Sequence, residues 1–162
     1  MRTTEASAVG VKSSSVHYHF PTKGDLAAAI AHQYANEADA GFDEVIESGA
    51  DVKTCTKLYI KRWRAALEDC NRMCLCAIMA AEYDLLPLAV KKEVDRFTGI
   101  HIRWLEKVLT LETKNLTKKG LKKRATAIFA AFQGAQLMAR SRADISLYDE
   151  TVKDYRVAGL VP

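Results

Sequence analysis

The chain has 162 residues, of which 49% are hydrophobic and 27% are charged. This composition excludes an intrinsically disordered protein and indicates one globular domain, or one domain with a small appendage. The 3 prolines and 8 glycines are few, and the abundance of Ala, Leu, Lys and Glu favours an all-α fold, while the net charge of +4 permits a nucleic-acid partner without requiring one.

A short helix over residues 13–19 is the first predicted element, between Gly10 and Pro21. The next helix starts at a Thr-x-x-Asp capping box, residues 22–25, and runs to about residue 47. Because apolar residues three or four apart share a helix face, this helix has a predicted buried stripe. The stripe consists of Leu26, Ile30, Gln33, Tyr34, Ala38, Phe42 and Val45.

Three further helices are predicted in the middle of the chain. Asp51 caps the first of them, whose stripe is Val52, Cys55, Tyr59, Trp63, Ala66 and Cys70. Residues 73–83 are nearly all apolar, which predicts a central helix surrounded on every side. Pro87 starts the third, since proline is tolerated in the first turn. Its stripe is Val90, Val94, Phe97, His101, Trp104, Val108 and Leu111.

Two helices are predicted at the C-terminus, over about 118–142 after the N-cap Thr117 and over 145–157. The first has one apolar face formed by Ala125, Ile128, Phe132, Ala135 and Ala139, and a second formed by Phe129, Ala130, Gly134, Leu137 and Met138. Because one face satisfies its own subunit, the second predicts a homodimer through both helices, as a four-helix interface.

The remaining motifs argue against catalysis. The cysteines are Cys55, Cys70, Cys74 and Cys76. They lack the spacing and the nearby histidine of a zinc site, so we expect buried free thiols and no metal. Phosphate-loop and hydrolase motifs are absent, and Glu82 and Asp84 fall on different helix faces, so neither an enzyme nor a cofactor is expected. No signal-peptide core or membrane-spanning apolar run is present, which predicts a cytoplasmic protein with no membrane partner.

The N-terminal stretch resembles the TetR family of bacterial transcriptional regulators. The matching residues are Gly10-Val11, Lys12-Ser13-Ser14-Ser15, Tyr18-His19-Phe20 and Lys23, supported late in the chain by the sequence from Phe132 to Arg140. The resemblance implies an all-α fold with a partial helix-turn-helix head in residues 1–48 and an effector-binding and dimerisation domain in 49–162. The family's first helix has no counterpart here and its second is represented by residues 3–8, so an N-terminal truncation is expected.

The same resemblance implies operator DNA as a partner of the short helix. The expected DNA-binding residues are Lys12, Ser13, Ser14, Ser15, His17, Tyr18 and Lys23. Small hydroxyl side chains allow the backbone to approach base edges, and Lys23 at a helix N-terminus suits a phosphate. Loop material and packing are the alternative interpretation of these residues.

A small apolar effector is the second partner that the resemblance implies. The expected pocket residues are Tyr59, Trp63, Met79, Tyr83, Phe97, His101, Trp104 and Phe132. Ordinary core packing is the alternative for each of them, with His101 as a core histidine that has found a partner. The expected function is repression that the effector releases by changing the spacing of two recognition helices in the dimer. The alternative is a dimeric ligand-binding module that does not bind DNA.

Overall fold

The computed structural model describes residues 13–112 and 116–162, with the side chains of the first helix from Ser15 onward. These parts of the chain contain seven α-helices, one 3₁₀ helix and no strand, which confirms the all-α prediction. The elements are α1 (Ser13–His19), α2 (Lys23–Glu47), α3 (Val52–Glu68), α4 (Leu75–Ala81), the 3₁₀ helix (Tyr83–Leu85), α5 (Leu88–Glu112), α6 (Lys118–Arg142) and α7 (Ile145–Val157). The predictions made for residues 1–12 lie outside the described residues.

Side-chain caps set the starts of the long helices where the sequence predicts them. Thr22 Oγ1 accepts the Asp25 backbone N–H at 3.1 Å, and Asp25 Oδ2 accepts the Thr22 N–H at 2.9 Å, which completes the capping box of α2. Asp51 caps α3 by accepting from the Thr54 N–H, and Thr117 caps α6. Each cap pairs backbone N–H groups that have no partner within the helix.

The helices pack around one continuous core. The long helix α2 lies along α5, α5 lies along α6, and α6 lies along α7, while α3 contacts α5, α6 and α7. The buried residues of α3, α5 and α6 form the centre of this cluster, and Ala35, Ala38 and Phe42 of α2 belong to it as well. The predicted boundary at residue 48 therefore falls at the end of a helix whose second half is part of the core.

The prediction of a central helix over residues 73–83 is wrong. Only residues 75–81 are α-helical, and Cys76 is the only residue of this helix that is buried. Ile78 and Leu85 are exposed. The apolar segment packs through a single face, because the preceding loop directs α4 along the outside of α5 and α2 rather than between them.

Four residues of the predicted stripes are also exposed, and one of them is Gln33 on α2, whose amide donates to Glu37 of the same helix. Ile30 is exposed on α2, and Leu111 is exposed on the last turn of α5. Cys70 lies outside α3, which ends at Glu68, and takes a left-handed backbone conformation beside Asn71. The other three cysteines are buried, and all four are free thiols. None of the helices in the described ranges is long and apolar enough to span a membrane.

Candidate ligand cavity and nucleic-acid interface

Six of the eight expected pocket residues meet in one aromatic cluster. Tyr59 and Trp63 lie one turn apart on α3, and the α5 members follow at similar helical spacing, so both sets face inward. The Tyr59 ring stacks on Trp104 with centroids 5.3 Å apart and meets Phe132 of α6 edge-on at 5.0 Å. Phe97 packs against His101 at 4.3 Å. The structure thus brings together Tyr59, Trp63, Phe97, His101, Trp104 and Phe132.

Met79 and Tyr83 lie apart from this cluster. Met79 is half-buried on α4. The Tyr83 hydroxyl donates to Asp95 Oδ2 at 2.8 Å, a bond that raises the pKa of the phenol, and Lys91 lies over its ring. Neither residue lines the cavities described below, because the loop before α4 turns this segment toward the surface.

Two of the cavities that adjoin the aromatic cluster share Arg62 as a lining residue. The smaller cavity, of about 20 Å³, is lined by Tyr34, Arg62, Trp63, Ala66, Cys74, Phe97, His101 and Gln136. The larger cavity, of about 180 Å³, is lined by Gly41, Phe42, Val45, Leu58, Tyr59, Arg62 and Trp104. Arg62 lines both, and its guanidinium lies 5.2 Å from the centroid of the Phe42 ring. A single flexible side chain therefore borders the two spaces.

His101 is the central polar group of the cluster. Its Nδ1 lies 3.0 Å from the Tyr59 hydroxyl, and the ring is 1% exposed. Burial, together with the positive charge of Arg62, holds the pKa of His101 well below its ordinary value of 6.5, so the ring is neutral at physiological pH. Within the described residues, His101 Nε2 and Trp63 Nε1 have no hydrogen-bond partner.

The sequence did not single out Phe42, Arg62 or Gln136 as cavity residues. Phe42 stacks on Trp104 at 4.5 Å, and its carbonyl accepts the Trp104 Nε1–H at 3.1 Å. Gln136 is 1% exposed and fixes the loop before α4. One signal was available for Gln136, because it follows Phe132 by one turn on the buried face of α6.

The expected DNA-binding residues that the structure describes lie on the surface. The side chains of Ser15, His17, Tyr18 and Lys23 are exposed, with Tyr18 at 83%. Ser13 and Ser14 belong to α1, but their side chains, and all of Lys12, lie outside the described residues. Lys23 is the first residue of α2, next to the Thr22 cap. These exposed groups are suited to contacting phosphates and base edges.

Close contacts join α2, which follows the head, to α5, which carries His101. At its start, Gly24 approaches Pro87 so closely that a Cβ would lie 3.0 Å from the proline ring. Further along, Arg96 donates to the His32 carbonyl at 2.9 Å and to Asn36 Oδ1 at 2.7 Å. The long helix α2 is therefore attached to α5 by packing and by directional hydrogen bonds.

The carboxylate of Glu93 on α5 completes this junction. It contacts Arg96 at 2.8 Å and His32 Nδ1 at 3.1 Å. Burial alone would raise the pKa of Glu93, but the hydrogen bonds from Arg96 and His32 outweigh it and lower the pKa. The carboxylate therefore stays charged and contacts Arg96 on its own helix and His32 across the α2–α5 contact.

The described helices form an all-α fold with a short exposed helix before a long one, and this fold is similar to that of solved transcriptional regulators. A TetR-family regulator from Agrobacterium tumefaciens is 30% identical, with a TM-score of 0.80 over 92% of this chain and 80% of that one. A TetR regulator from Legionella pneumophila is 24% identical, with a TM-score of 0.84 over 97% and 83%. The regulatory protein TetR from Rhodobacter sphaeroides is 14% identical, with a TM-score of 0.80 over 93% and 82%. The chain belongs to the TetR family of transcriptional regulators.

No protein-family model matches the sequence. No curated protein matches it either. The family assignment therefore depends on the structural similarity together with the identity to the Agrobacterium regulator, and it confirms the resemblance seen in the sequence.

Proposed function

We propose that the protein is a repressor that binds operator DNA through α1 and the start of α2, and that a small apolar effector releases it. One observation carries the proposal. The long helix α2 has the exposed Lys23 at its first turn, directly after α1, and Phe42, which lines the larger cavity, near its other end. One rigid element thus connects the DNA-facing surface with the expected effector site.

The DNA contact that we propose combines positioning and sequence recognition. Lys23 and the free N–H groups at the start of α2 bind phosphate, while the serines of α1 approach base edges in the major groove. Phosphate contacts supply much of the affinity and make it depend on salt.

Release of the DNA by the effector would depend on the attachment of α2 to α5. An effector in the larger cavity would displace Phe42 or Trp104, whose stacked rings join the two helices. The contacts of Arg96 with His32 and Asn36 transmit that displacement to the first half of α2. Since half-site spacing on DNA is strict, a small change in the position of the two heads lowers operator affinity.

The Lys23→Ala variant tests the DNA-binding surface. We expect uniformly weaker binding across DNA sequences and a salt slope of log K reduced by about one, because one phosphate contact is lost. The measurement is a fluorescence-anisotropy titration at several salt concentrations, with duplex from the intergenic region upstream of the gene as the probe. Lys53→Ala is the matched control, since Lys53 is an exposed lysine in the first turn of α3.

Equal losses in the Lys23 and Lys53 variants would contradict this DNA surface. Absence of salt-dependent binding by the unmodified chain would favour the alternative, a ligand-binding module without DNA binding.

The dimer that we propose is formed through the exposed face of α6. Leu137 and Met138 are more than half exposed, Ala130 is exposed, and a Cβ on Gly134 would meet nothing within 4 Å. Small residues in such a stripe allow a second helix to approach closely. The buried apolar residues of α7 pack within their own subunit, so its share of the interface stays a prediction.

The Leu137→Glu variant tests this interface. We expect the dimer dissociation constant to rise about a hundredfold or more, because two buried leucines are replaced by two charges at the dimer axis. Sedimentation velocity at micromolar concentration measures the change, and Leu111→Glu, an exposed leucine on α5, is the control. A monomeric mass for the unmodified chain would refute the dimer.

A further inference from the structure

Two N–H groups inside the core point to the chemistry of the ligand. Trp63 is 3% exposed and His101 is 1% exposed, and both line the smaller cavity with ring centroids 5.7 Å apart. In the part of the chain that the structure describes, Trp63 Nε1 and His101 Nε2 are the buried side-chain nitrogens without a hydrogen-bond partner. Such groups are rare in folded proteins, so a ligand or an ordered water is expected between them.

The contact with Tyr59 determines which nitrogen of His101 carries the proton. The Tyr59 hydroxyl lies 3.0 Å from Nδ1. Burial raises the pKa of the phenol and lowers that of the imidazole, so Tyr59 keeps its proton and the ring is neutral. A phenol that donates to Nδ1 leaves the single imidazole proton on Nε2. His101 Nε2 is therefore a donor, as Trp63 Nε1 always is.

The smaller cavity leaves these two donors without an acceptor. The Trp63 N–H lies near enough to the Tyr59 hydroxyl to lower the pKa of that phenol against the larger effect of burial, but no aligned hydrogen bond forms between them. Gln136 Oε1 already accepts the Cys74 backbone N–H at 2.9 Å. Arg62 carries donors only. A bound oxygen atom that accepts two hydrogen bonds would satisfy both nitrogens.

We infer that the effector is an uncharged apolar molecule with a carbonyl oxygen, and that this oxygen accepts hydrogen bonds from Trp63 Nε1 and His101 Nε2. This inference rests on the proposed ligand-responsive function. A space of about 20 Å³ holds one oxygen-sized group, so the carbonyl fits there and the apolar body takes the larger cavity of about 180 Å³. The exposed Arg62 side chain, which lines both cavities, moves aside to join them.

An uncharged ligand fits this site better than an anion. A buried carboxylate needs a well-formed ion pair to offset its lost hydration. Among the described residues, Arg62 is the only charged one that lines either cavity, and its guanidinium lies over the Phe42 ring. The other residues that line the smaller cavity carry no charge at neutral pH: Tyr34, Ala66, Cys74, Phe97 and Gln136.

The indole N–H resonances of the two tryptophans provide the test. Acetophenone, α-methylstyrene and benzoate are titrated separately into ¹⁵N-labelled full chain, because they share a ring and differ in having a neutral acceptor, no acceptor and an anionic acceptor. We expect acetophenone to move the Trp63 Nε1–H resonance downfield. The Trp104 N–H is the internal control, since it is already bonded to the Phe42 carbonyl. The Trp63→Phe variant assigns the two resonances.

The same variant measures the strength of the hydrogen bond. Trp63→Phe keeps an aromatic ring and removes the N–H, so acetophenone affinity should fall about tenfold more than α-methylstyrene affinity does, since the change in packing is common to both probes. Tyr83→Phe is the matched control, because it removes a hydroxyl outside the cavity. If the Trp63 variant does not fold, the shift of the Trp63 resonance in the unmodified protein still tests whether the ligand accepts a hydrogen bond from Trp63.

Each other result overturns the inference. If acetophenone and α-methylstyrene bind equally well, the carbonyl oxygen does not contribute to binding. A response to benzoate alone indicates an anionic effector. An unmoved Trp63 resonance at the solubility limit of acetophenone also counts against it. Operator titrations with the same three probes separate failure of this inference from failure of the proposed function. If α-methylstyrene alone releases the DNA, the proposed repressor function stands and the proposed carbonyl group of the effector is rejected.

Discussion

Gln136→Leu is expected to lower the free energy of unfolding by about 2–3 kcal/mol. Gln136 is buried, and its amide makes two hydrogen bonds to backbone: Oε1 accepts the Cys74 N–H at 2.9 Å and Nε2 donates to the Trp63 carbonyl at 2.7 Å. Leucine has nearly the same size and makes neither bond. The Cys74 N–H at the start of α4 is then buried without a partner, and that loss dominates the cost.

Urea denaturation at fixed protein concentration measures this change. Gln133→Leu is the matched control, because Gln133 lies one turn before on α6, is only half-buried and makes no side-chain hydrogen bond to the described residues. Losses that agree within about 0.5 kcal/mol in the two variants would show that the amide of Gln136 does not support the fold.

The same residue matters for function because it holds the wall of the smaller cavity. Gln136 connects α6 with Trp63 in the second half of α3 and with the start of α4, and Asn71 adds a second connection by donating to the Arg140 carbonyl at 3.0 Å. The left-handed backbone of Cys70 and Asn71 is held between these contacts. We therefore expect the Gln136 variant to bind effector more weakly even at temperatures where it remains folded.

Acidification below about pH 6.5 is expected to destabilise the protein through His101, by roughly 2 kcal/mol at about pH 5. The folded-state pKa of His101 is held well below its ordinary value of 6.5 by burial and by the charge of Arg62. Between those two values the unfolded chain binds a proton that the folded chain does not. Stability therefore rises with pH through this window and is lost as the pH falls.

The surroundings of His101 support this direction of change. Tyr59 of α3 faces Nδ1 with its hydroxyl, and burial raises the pKa of that phenol, so it cannot serve as an anion for a protonated ring. Tyr34 of α2 and Cys74 before α4 also line the smaller cavity, and burial raises the pKa of both groups. Arg62 is the charged neighbour, and it repels the imidazolium form.

Unfolding free energies of the unmodified chain and of His101→Gln, measured across this pH range, isolate the contribution. Glutamine accepts from the Tyr59 hydroxyl and does not titrate, so its curve should be flatter by up to about 1.4 kcal/mol per pH unit. The depressed pKa values of Glu93 and Asp51 act in the same direction only at lower pH, near the carboxylate range. Parallel curves for the two proteins would contradict a neutral buried His101.

Local sequence signals predicted the helices well because the atoms that define helix ends are close in sequence. Thr22 with Asp25, Asp51 and Thr117 cap the helices as their spacing indicates, and Gly49, with a φ of +71°, follows α2 where a left-handed residue is needed. Helical periodicity likewise placed the α5 residues from Val90 to Val108 in the core.

Apolar composition alone did not predict how deeply a segment is buried. Residues 73–83 are as apolar as a central helix, yet α4 is short and packs through one face, and Leu85 is 81% exposed. The direction of this segment depends on Asn71 and Gln136, whose partners on α6 and α3 lie more than sixty residues away in sequence. Hydrogen bonds between residues so far apart in the chain leave no periodic pattern in the sequence.

The sequence by itself determined the helical architecture, the capped start of α2 and the exposed head motif, because each depends on residues within one or two helical turns. Tertiary structure alone decided which aromatic residues meet, that Met79 and Tyr83 lie outside the cluster, and that Trp63 and His101 present two donors to one cavity. The physical reason is that hydrogen-bond satisfaction in a core is a property of groups brought together from α2, α3, α5 and α6, and no local pattern records which of them stays unpaired.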